Sequence, residues 1–364
     1  MRSFLRSASA ATVIAGWLLT TLPAATAADK VRSRADLEAA TRLQVFLDRA
    51  EFAPGKIDGH YGEFTVKALA LYRQAHGGPA SPPRAKSDSK KKAAPNVDGL
   101  DLASINPLFL TYTVTDSDLK SVGELPASVP EQAKEKSLPY KDAAEAVAEK
   151  FHTDVDFLAE LNPGKTKTIK AGDTLSVPNV EPFELPEVKD LKPGGELAAR
   201  AANDVDDETD GKKGKDNEVP QEKENKSAAP KVAVKIDVQS NMLAVYDGEK
   251  LIAAYPVTVG STETGSPIGD WTVRGVAKMP NFRYDKAMLN KGERSSDFHM
   301  LPPGPNNPVG VIWIALNKKG IGLHGTSDPD AIGRSASHGC VRMANWDVVR
   351  LAGKVKAGVP VSIH

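Results

Sequence analysis

Two stretches of this chain lack the apolar residues that a packed core requires, and they divide it into three segments. Residues 79–100 read PASPPRAKSDSKKKAAPNVDGL, and residues 186–230 are highly charged, with DVDDETDGKKGKDNEVPQEKENK at their centre. Such compositions cannot bury enough apolar surface to offset the entropy of ordering the chain. We therefore predict disordered linkers at 79–109 and 181–230. The folded segments are predicted at 34–78, 110–180 and 231–364.

The first thirty residues have the composition of an export signal. Arg2 and Arg6 precede an apolar run that is densest from position 10 to position 22. Ala25-Thr26-Ala27 then supplies the small residues of a cleavage site. The run is short for a membrane span of about 20 residues, so a cleaved signal peptide over 1–27 is favoured over a membrane anchor. We expect export to the periplasm, with no integral membrane segment after cleavage.

The charge balance and the cysteine count exclude some functions and favour others. Lys and Arg together number 47, as do Asp and Glu, so the formal net charge is zero. No clustered basic face indicates a nucleic-acid partner. The chain has a single cysteine, Cys340, which excludes an internal disulfide. A thiol in an exported protein is a liability unless its reactivity is used, and a functional thiol is therefore favoured.

The segment 231–364 has the pattern of a mainly β domain. Apolar and polar residues alternate from Val232 to Val238, as in a half-buried strand. Asp247-Gly248 lies between two apolar runs and predicts a hairpin turn. Asn345 is placed to cap a helix that runs through Ala352. Further strands are predicted at Trp271–Val273, Val311–Ile314 and Val359–Ile363.

Cys340 lies in the stretch SASHGCVRM, two residues after His338 and 16 residues after His324. His324 follows the alternating stretch VIWIALNKKGIGL and should end a strand, from which a returning loop can bring it beside the thiol. A histidine in that place can act as the base that activates a cysteine nucleophile. Gly339 would allow close approach of a substrate, and nearby backbone N–H groups would stabilise an oxyanion. Arg342 fits a substrate carboxylate and a structural ion pair equally well.

Two other uses of Cys340 compete with the nucleophile. His324, His338 and Cys340 could ligate zinc, but a structural zinc site needs four ligands and no further Cys or His motif accompanies them. A buried, inert cysteine is the commonest fate of a lone thiol. The flanking glycine, the two histidines and the loop context argue against an apolar core position. We therefore expect a nucleophile, with neither a metal nor an organic cofactor.

The two motifs HGT at 324–326 and SHGCVR at 337–342 resemble the signature of the L,D-transpeptidase catalytic domain family. TGSPIGDWTV at 264–273 and LPPGPNNPVGVIWIAL at 301–316 are similar to further segments of that family. The resemblance implies a β-sandwich with short helices, in which Cys340 is the acyl-accepting nucleophile and His324 its base and acid. It also implies a set of oxyanion and substrate-binding residues: Gly325, Ser337, His338, Gly339 and Arg342.

The two upstream segments resemble wall-binding modules. The segment 34–78, predicted as a small all-α module with Thr65 capping its second helix, is similar to the peptidoglycan-binding domain family. The residues that carry this likeness are Leu43-Gln44, Asp58-Gly59, Gly62, Thr65 and Ala68. A helical spacer without a ligand is the alternative.

The segment 110–180 is predicted as a small α+β module. It is similar to the LysM carbohydrate-binding family through Leu161-Asn162-Pro163 and the stretch AGDTLSVP at 171–178. It departs from that family near its start, where about 25 residues separate Tyr112-Thr113-Val114 from the two predicted helices.

Together these resemblances imply an exported L,D-transpeptidase that acts on peptidoglycan stem peptides and glycan and is a carbapenem target. Cys340 would displace the terminal D-alanine of a tetrapeptide stem, and an amine of a neighbouring stem would then take the acyl group, giving a 3→3 cross-link. Three alternatives stay open. They are an L,D-carboxypeptidase or cross-link hydrolase, a transpeptidase that attaches an outer-membrane lipoprotein, and a non-catalytic wall-binding protein.

Overall fold

A computed structural model describes the chain over residues 33–78, 94–192, 194–197, 231–260, 267–291, 294–318, 320–334 and 339–364. The predicted signal peptide at 1–27, and residues 79–93 and 198–230 of the predicted linkers, lie outside the described residues. Across the described ranges, no helix is long and apolar enough to cross a membrane.

The first segment consists of two helices, α1 (Arg34–Arg49) and α2 (Glu63–Ala75). Gln44 on α1 ties down the loop between them, since its amide donates to Asp58 Oδ1 at 2.8 Å and accepts from Gly59 N–H at 2.9 Å. The predicted cap at Thr65 is wrong, because α2 begins two residues earlier with Gly62 at its N-cap. Thr65 is buried instead, and its hydroxyl accepts from Gln44 at 3.4 Å.

The second segment is a two-stranded antiparallel sheet packed with helices. It comprises β1 (Phe109–Thr113), α3 (Asp116–Lys120), α4 (Val129–Gln132), α5 (Ala143–Lys150), α6 (Val155–Leu161) and β2 (Thr174–Pro178). The two short helices expected before the Asn162-Pro163-Gly164 turn are α5 and α6. Asn162 joins that turn to β2, because its amide donates to Ser176 O at 2.8 Å and accepts from Ser176 N–H at 2.7 Å.

The folded region reaches further into the predicted linkers than composition suggests. Ile105 and Leu108 are buried in the core of the second segment. Phe183 and Val188 are buried in the core of the third segment, and Val188 belongs to a short 3-10 helix, Leu185–Lys189. A few apolar residues are enough to order a charged stretch when they can be buried against a neighbouring apolar surface. The average composition of the stretch does not reveal these few residues.

The third segment is built on one sheet of eight strands. They are β3 (Val232–Asp237), β4 (Met242–Asp247), β5 (Lys250–Pro256), β6 (Gly269–Lys278), β9 (Ile312–Leu316), β10 (Gly322–His324), β11 (Val341–Arg342) and β12 (Pro360–Ile363). Across the sheet, their order is β11-β10-β9-β6-β12-β3-β4-β5. A separate hairpin pairs β7 (Phe282–Tyr284) with β8 (His299–Leu301) around α7 (Lys286–Lys291), and α8 (Asn345–Ala352) packs behind β9 and β10.

The long strand β6 makes this sheet curl. Its first half pairs with β12, from Gly269 opposite Ile363, and its second half pairs with β9, ending at Lys278 opposite Ile312. A bulge before Gly275 separates the two halves, and bulges bend and twist a strand. Thr258, just after β5, bridges to Arg342 on β11 through two backbone hydrogen bonds of 2.9 and 3.0 Å. The prediction of a mainly β fold with short helices is confirmed, and its layers are the two halves of one curled sheet.

The three segments pack into one compact unit over residues 34–364. The helices of the first segment cover the outer face of β4 and β5 in a shared apolar cluster that includes Leu47, Phe52, Leu251 and Ala254. Backbone hydrogen bonds continue this contact, because Ala53 N–H donates to Ala254 O at 2.8 Å. The first segment is thus docked directly on the sheet.

All three segments meet at the buried carboxylate of Asp48, a residue of α1 with no exposed surface. Arg350 on α8 donates to it through two bonds of 2.9 and 3.2 Å, and His152, just after α5, lies 3.1 Å away. Burial by itself would raise the pKa of Asp48, but the charge of Arg350 and the contact with His152 lower it below its ordinary value. Asp48 is therefore an ionised carboxylate that joins the segments.

Candidate active site

His324 is the last residue of β10, and Cys340 lies directly before β11, which runs parallel to β10. His324 on β10 is opposite Arg342 on β11, and Leu323 is opposite Val341. Leu323 and Val341 have no exposed surface and face the core, so strand alternation directs His324, Cys340 and Arg342 to the other face. These three residues line one cavity of about 340 Å³, a size typical of small-ligand sites. The structure thus brings the predicted nucleophile and the predicted base together.

The imidazole of His324 is held in one orientation. Its Nδ1 lies 2.6 Å from the carbonyl oxygen of Gly325, which can only accept, so Nδ1 carries the hydrogen and Nε2 keeps its lone pair. The ring also stacks on the indole of Trp313, with 5.3 Å between centroids and 10° between planes. Burial lowers the pKa of His324 to about 4; the hydrogen bond to Gly325 opposes this shift and the charge of Arg342 adds to it. The imidazole is neutral at neutral pH.

The thiol of Cys340 is half-buried and protonated. It donates to the carbonyl of Gly320, with 3.6 Å from sulfur to oxygen. Burial raises the pKa of Cys340 to about 11, although a backbone hydrogen bond from Gly322 and the charge of Arg342 act in the opposite direction. The resting pair is therefore a thiol and an imidazole, in which the base must remove the proton as the sulfur attacks.

Asn345 supports the backbone that carries His324. The predicted helix cap at this position is wrong, because Ala344 is the N-cap of α8 and Asn345 is the first helical residue. The buried amide of Asn345 accepts from Val311 N–H at 3.2 Å and donates to Pro305 O at 3.2 Å and to Glu149 Oε1 at 3.0 Å. The residue thus links the active-site backbone to the second segment.

The glycines of the two motifs are required by backbone geometry. A Cβ on Gly325 would lie 2.2 Å from Asn345 Oδ1, so only glycine fits against that amide. Gly339 has a φ of +107°, which side chains with a Cβ rarely adopt. The structure therefore gives each glycine a packing or conformational role, while the role of Gly339 in an oxyanion hole stays a prediction.

Gly325→Ala is expected to lower kcat/KM about 100-fold, because a displacement near 1 Å at a reacting group has about that effect. The added methyl must push His324 or Asn345 out of place, since it would lie 2.2 Å from the amide oxygen. Steady-state kinetics check this. Gly353→Ala is the matched control, because its Cβ would make only an ordinary contact of 3.5 Å. Similar kinetics for both variants would contradict the argument.

The opposite wall of the cavity comes from the β7–α7–β8 hairpin, which contributes Arg283, Tyr284 and Met288. The buried carboxylate of Asp285 holds this wall together, since it accepts from Met288 N–H at 3.1 Å and from Ser295 N–H at 2.7 Å. The sequence analysis missed these residues. An Asp directly before a short helix is a signal for such a turn, but it gives no indication that the turn faces the cysteine.

The upstream segments hold the loop that joins the two motifs. The Thr258 hydroxyl accepts from Gly333 N–H at 2.8 Å, and the ring of Phe64 on α2 lies so close that a Cβ on Gly333 would be 2.3 Å from it. Lys56 of the first segment bridges Asp330 in this loop and Asp154 of the second segment. The active-site loop therefore packs against the first segment, and Lys56 connects it to the second.

Two of the predicted residues, Ser337 and His338, lie outside the described residues, and their roles stay predictions. Arg342 is half-buried and lines the cavity together with the carboxylate residue Asp328. Within the described parts of the chain, no group of three or more His, Cys, Asp or Glu side chains is arranged to hold a metal ion.

Comparisons with known proteins agree with this site. The family model YkuD, the L,D-transpeptidase catalytic domain, matches residues 231–363. YkuD of Bacillus licheniformis is 32% identical over 130 residues, which cover 36% of this chain and 64% of that protein. YqjB of Bacillus subtilis is 32% identical over 133 residues, which cover 35% of this chain and 68% of that protein. Both are named as L,D-transpeptidases.

A solved structure of L,D-transpeptidase 3 from Mycobacterium tuberculosis, with a faropenem-derived adduct, aligns at 17% identity and a TM-score of 0.31. That alignment covers 37% of this chain and 60% of the other. The chain spans just under two thirds of the two YkuD proteins, at 64% and 65%, and slightly more of YqjB, at 68%. By its match to YqjB and to the family model, the chain belongs to the L,D-transpeptidase family, with the catalytic domain at residues 231–363.

Proposed function

We propose that this chain is an exported cysteine-dependent L,D-transpeptidase that forms 3→3 cross-links in peptidoglycan. The observation that carries the proposal is that His324, at the end of β10, and Cys340, directly before the parallel strand β11, line one cavity. The donor would be a tetrapeptide stem whose third residue is a diamino acid and whose fourth is D-alanine. The acceptor would be the side-chain amine of a neighbouring stem.

The first half of the reaction acylates Cys340. Its sulfur attacks the carbonyl carbon of the third residue while His324 Nε2 accepts the thiol proton. The tetrahedral intermediate collapses, the bond to the D-alanine nitrogen breaks, and His324 returns the proton to that nitrogen. The products are free D-alanine and a thioester on Cys340.

The second half transfers the acyl group. The acceptor amine attacks the thioester carbonyl and loses a proton to His324 Nε2. The carbon–sulfur bond then breaks, and the proton passes back to the Cys340 sulfur. An amide between two stems forms and the resting thiol–imidazole pair is restored, so the cycle needs no cofactor.

The acylation rate is expected to stay constant through neutral pH and to fall only as the pH drops through about 4. His324 acts as a base in its neutral form, and burial lowers its pKa from 6.5 to about 4. The thiol has a pKa of about 11 and stays protonated over the same range. Acylation by a carbapenem, followed by mass spectrometry between about pH 3 and about pH 9, gives the profile. A midpoint near 6.5 would contradict a buried neutral base.

The proposed function is tested by mixing the purified chain with disaccharide-tetrapeptide and analysing the products by mass spectrometry. A dimer that has lost one D-alanine, and that Cys340→Ala does not form, is the expected result. A tripeptide without dimer would instead indicate an L,D-carboxypeptidase. Formation of dimer by Cys340→Ala would refute the cysteine mechanism.

The periplasm is the proposed place of action, on the strength of the export-signal composition of residues 1–27. The proposed acceptor is a stem amine, while an outer-membrane lipoprotein amine is the alternative. Adding a lysine-ended lipoprotein peptide in competition with disaccharide-tetrapeptide distinguishes the two, since the preferred acceptor dominates the products.

A further inference from the structure

A second cavity adjoins the catalytic one where the three segments meet. This junction cavity has a volume of about 670 Å³. Pro308, Ser327 and Asp328 line both cavities, so a ligand can extend from one into the other across these residues. A peptide bound in the junction cavity would thus point toward the site of Cys340.

The walls of the junction cavity are predominantly acidic. Its five carboxylates belong to Asp142, Glu145, Glu149, Asp328 and Asp330, against the ammonium groups of Lys56 and Lys141. Lys56 is already engaged by Asp154 and Asp330, and Lys141 lies 3.8 Å from Glu145. A concave surface with this charge balance attracts cations.

Glu149 on α5 has one carboxylate oxygen satisfied and the other on the cavity side. Oε1 accepts from Tyr140 Oη at 2.9 Å and from Asn345 Nδ2 at 3.0 Å. Among the described residues, none donates to Oε2, although Glu149 is only 8% exposed and lines the cavity. Burial raises the pKa of Glu149 to about 7, and a cationic donor brought by a ligand would lower that pKa and favour the ionised carboxylate.

We propose that the junction cavity binds the amine-bearing acceptor peptide: Glu149 first holds its ammonium group, which then releases one proton to solvent and passes Asp328 as the neutral amine that attacks the acylated cysteine. This inference rests on the proposed transpeptidase function, since it assigns the second substrate. The second segment would then select the acceptor: it admits a stem that carries an ammonium group and disfavours one whose amine is blocked.

The test compares two tripeptide stems that differ only in the side-chain amine of the third residue, which is free in one and acetylated in the other. Binding is measured by titration calorimetry on full-length Cys340→Ala, which cannot react. We expect the free amine to bind about tenfold tighter, equivalent to about 1.4 kcal/mol. Equal affinities would overturn the inference. Only the peptide differs in this comparison, so the residues of the cavity stay the same.

Glu149→Gln is the diagnostic variant, because it keeps the Oε1 acceptor for Tyr140 and Asn345 and replaces only the oxygen without a donor. In the Cys340→Ala background it is expected to abolish the preference for the free amine. Asp156→Asn is the control, since it removes an exposed carboxylate of the same segment outside the cavity. A preference that persists in Glu149→Gln would overturn the inference.

A separate measurement keeps the two proposals apart. Chains with Cys340 intact, with and without the control substitution Asp156→Asn, are treated with a carbapenem, and both are expected to be acylated at the same rate. If neither chain is acylated at Cys340, the transpeptidase proposal is wrong, and the inference is overturned through its premise. If both are acylated and amine binding does not depend on Glu149, only the inference is wrong.

Discussion

Cys340→Ala is expected to lower the rate of acyl transfer by on the order of 10⁴-fold or more, because Cys340 carries the single thiol of the chain and lines the cavity with His324. His324→Gln is expected to have a similar effect, since the neutral imidazole must take the proton of a thiol whose pKa is raised to about 11. The two residues act as one unit, so the double variant should be hardly slower than either single variant. Single-turnover release of D-alanine measures all three.

A variant that is unfolded would also lose activity, so the stability of each variant must be measured separately. The half-buried thiol donates to Gly320 O and has a backbone hydrogen bond from Gly322, so Cys340→Ala should lower the free energy of unfolding by on the order of 1–2 kcal/mol. Thermal unfolding of each variant provides this control. A folded Cys340→Ala chain that still releases D-alanine at a tenth of the normal rate would show that another residue is the nucleophile.

Asp48→Ala is expected to lower the free energy of unfolding by about 3–5 kcal/mol, the usual cost of removing one partner of a buried ion pair. Asp48 has no exposed surface, and its loss leaves the guanidinium of Arg350 and the ring of His152 without their carboxylate. Urea unfolding followed by tryptophan fluorescence measures the change.

The matched control is the ion pair between Lys354 and Glu51, which lies nearby and is partly exposed, at 26% and 35% of the two side chains. Lys354→Met should lower the free energy of unfolding by less than about 1 kcal/mol. The double variant Asp48→Ala/Arg350→Met should be less unstable than the sum of the two single variants, because it removes both charges. A loss below about 1 kcal/mol for Asp48→Ala would mean that the carboxylate does not join the segments.

The catalytic pair could be predicted from the sequence because each of its signals is local. Strand alternation up to His324, the glycine beside Cys340 and the loop between the motifs together predict a histidine at a strand end beside a thiol. The parallel pairing of β10 with β11 confirms that arrangement. The hairpin signalled by Asp247-Gly248 was equally predictable, since Gly248 takes a φ of +60° in the two-residue loop Gly248-Glu249 that follows Asp247.

The supporting residues could not be predicted, because their partners are distant in the sequence. Asp48 lies 104 positions from His152 and 302 positions from Arg350, and no periodicity relates residues so far apart. Asn345 is of a residue type that often caps helices. Only the structure shows that its amide instead packs against Gly310 and Gly325 and supports the active-site backbone. The order in the predicted linker was equally hard to predict. Phe183 and Val188 are buried against the third segment, whose residues lie elsewhere in the sequence.

The protonated thiol of Cys340 should react slowly with oxidants and alkylating agents. With a pKa of about 11, the thiol is ionised in only about one molecule in 10⁴ at neutral pH. Peroxides and alkylating agents react with the thiolate, so Cys340 should be modified far more slowly than a solvent-exposed cysteine. Burial is thereby expected to keep the single thiol of the chain reduced between turnovers.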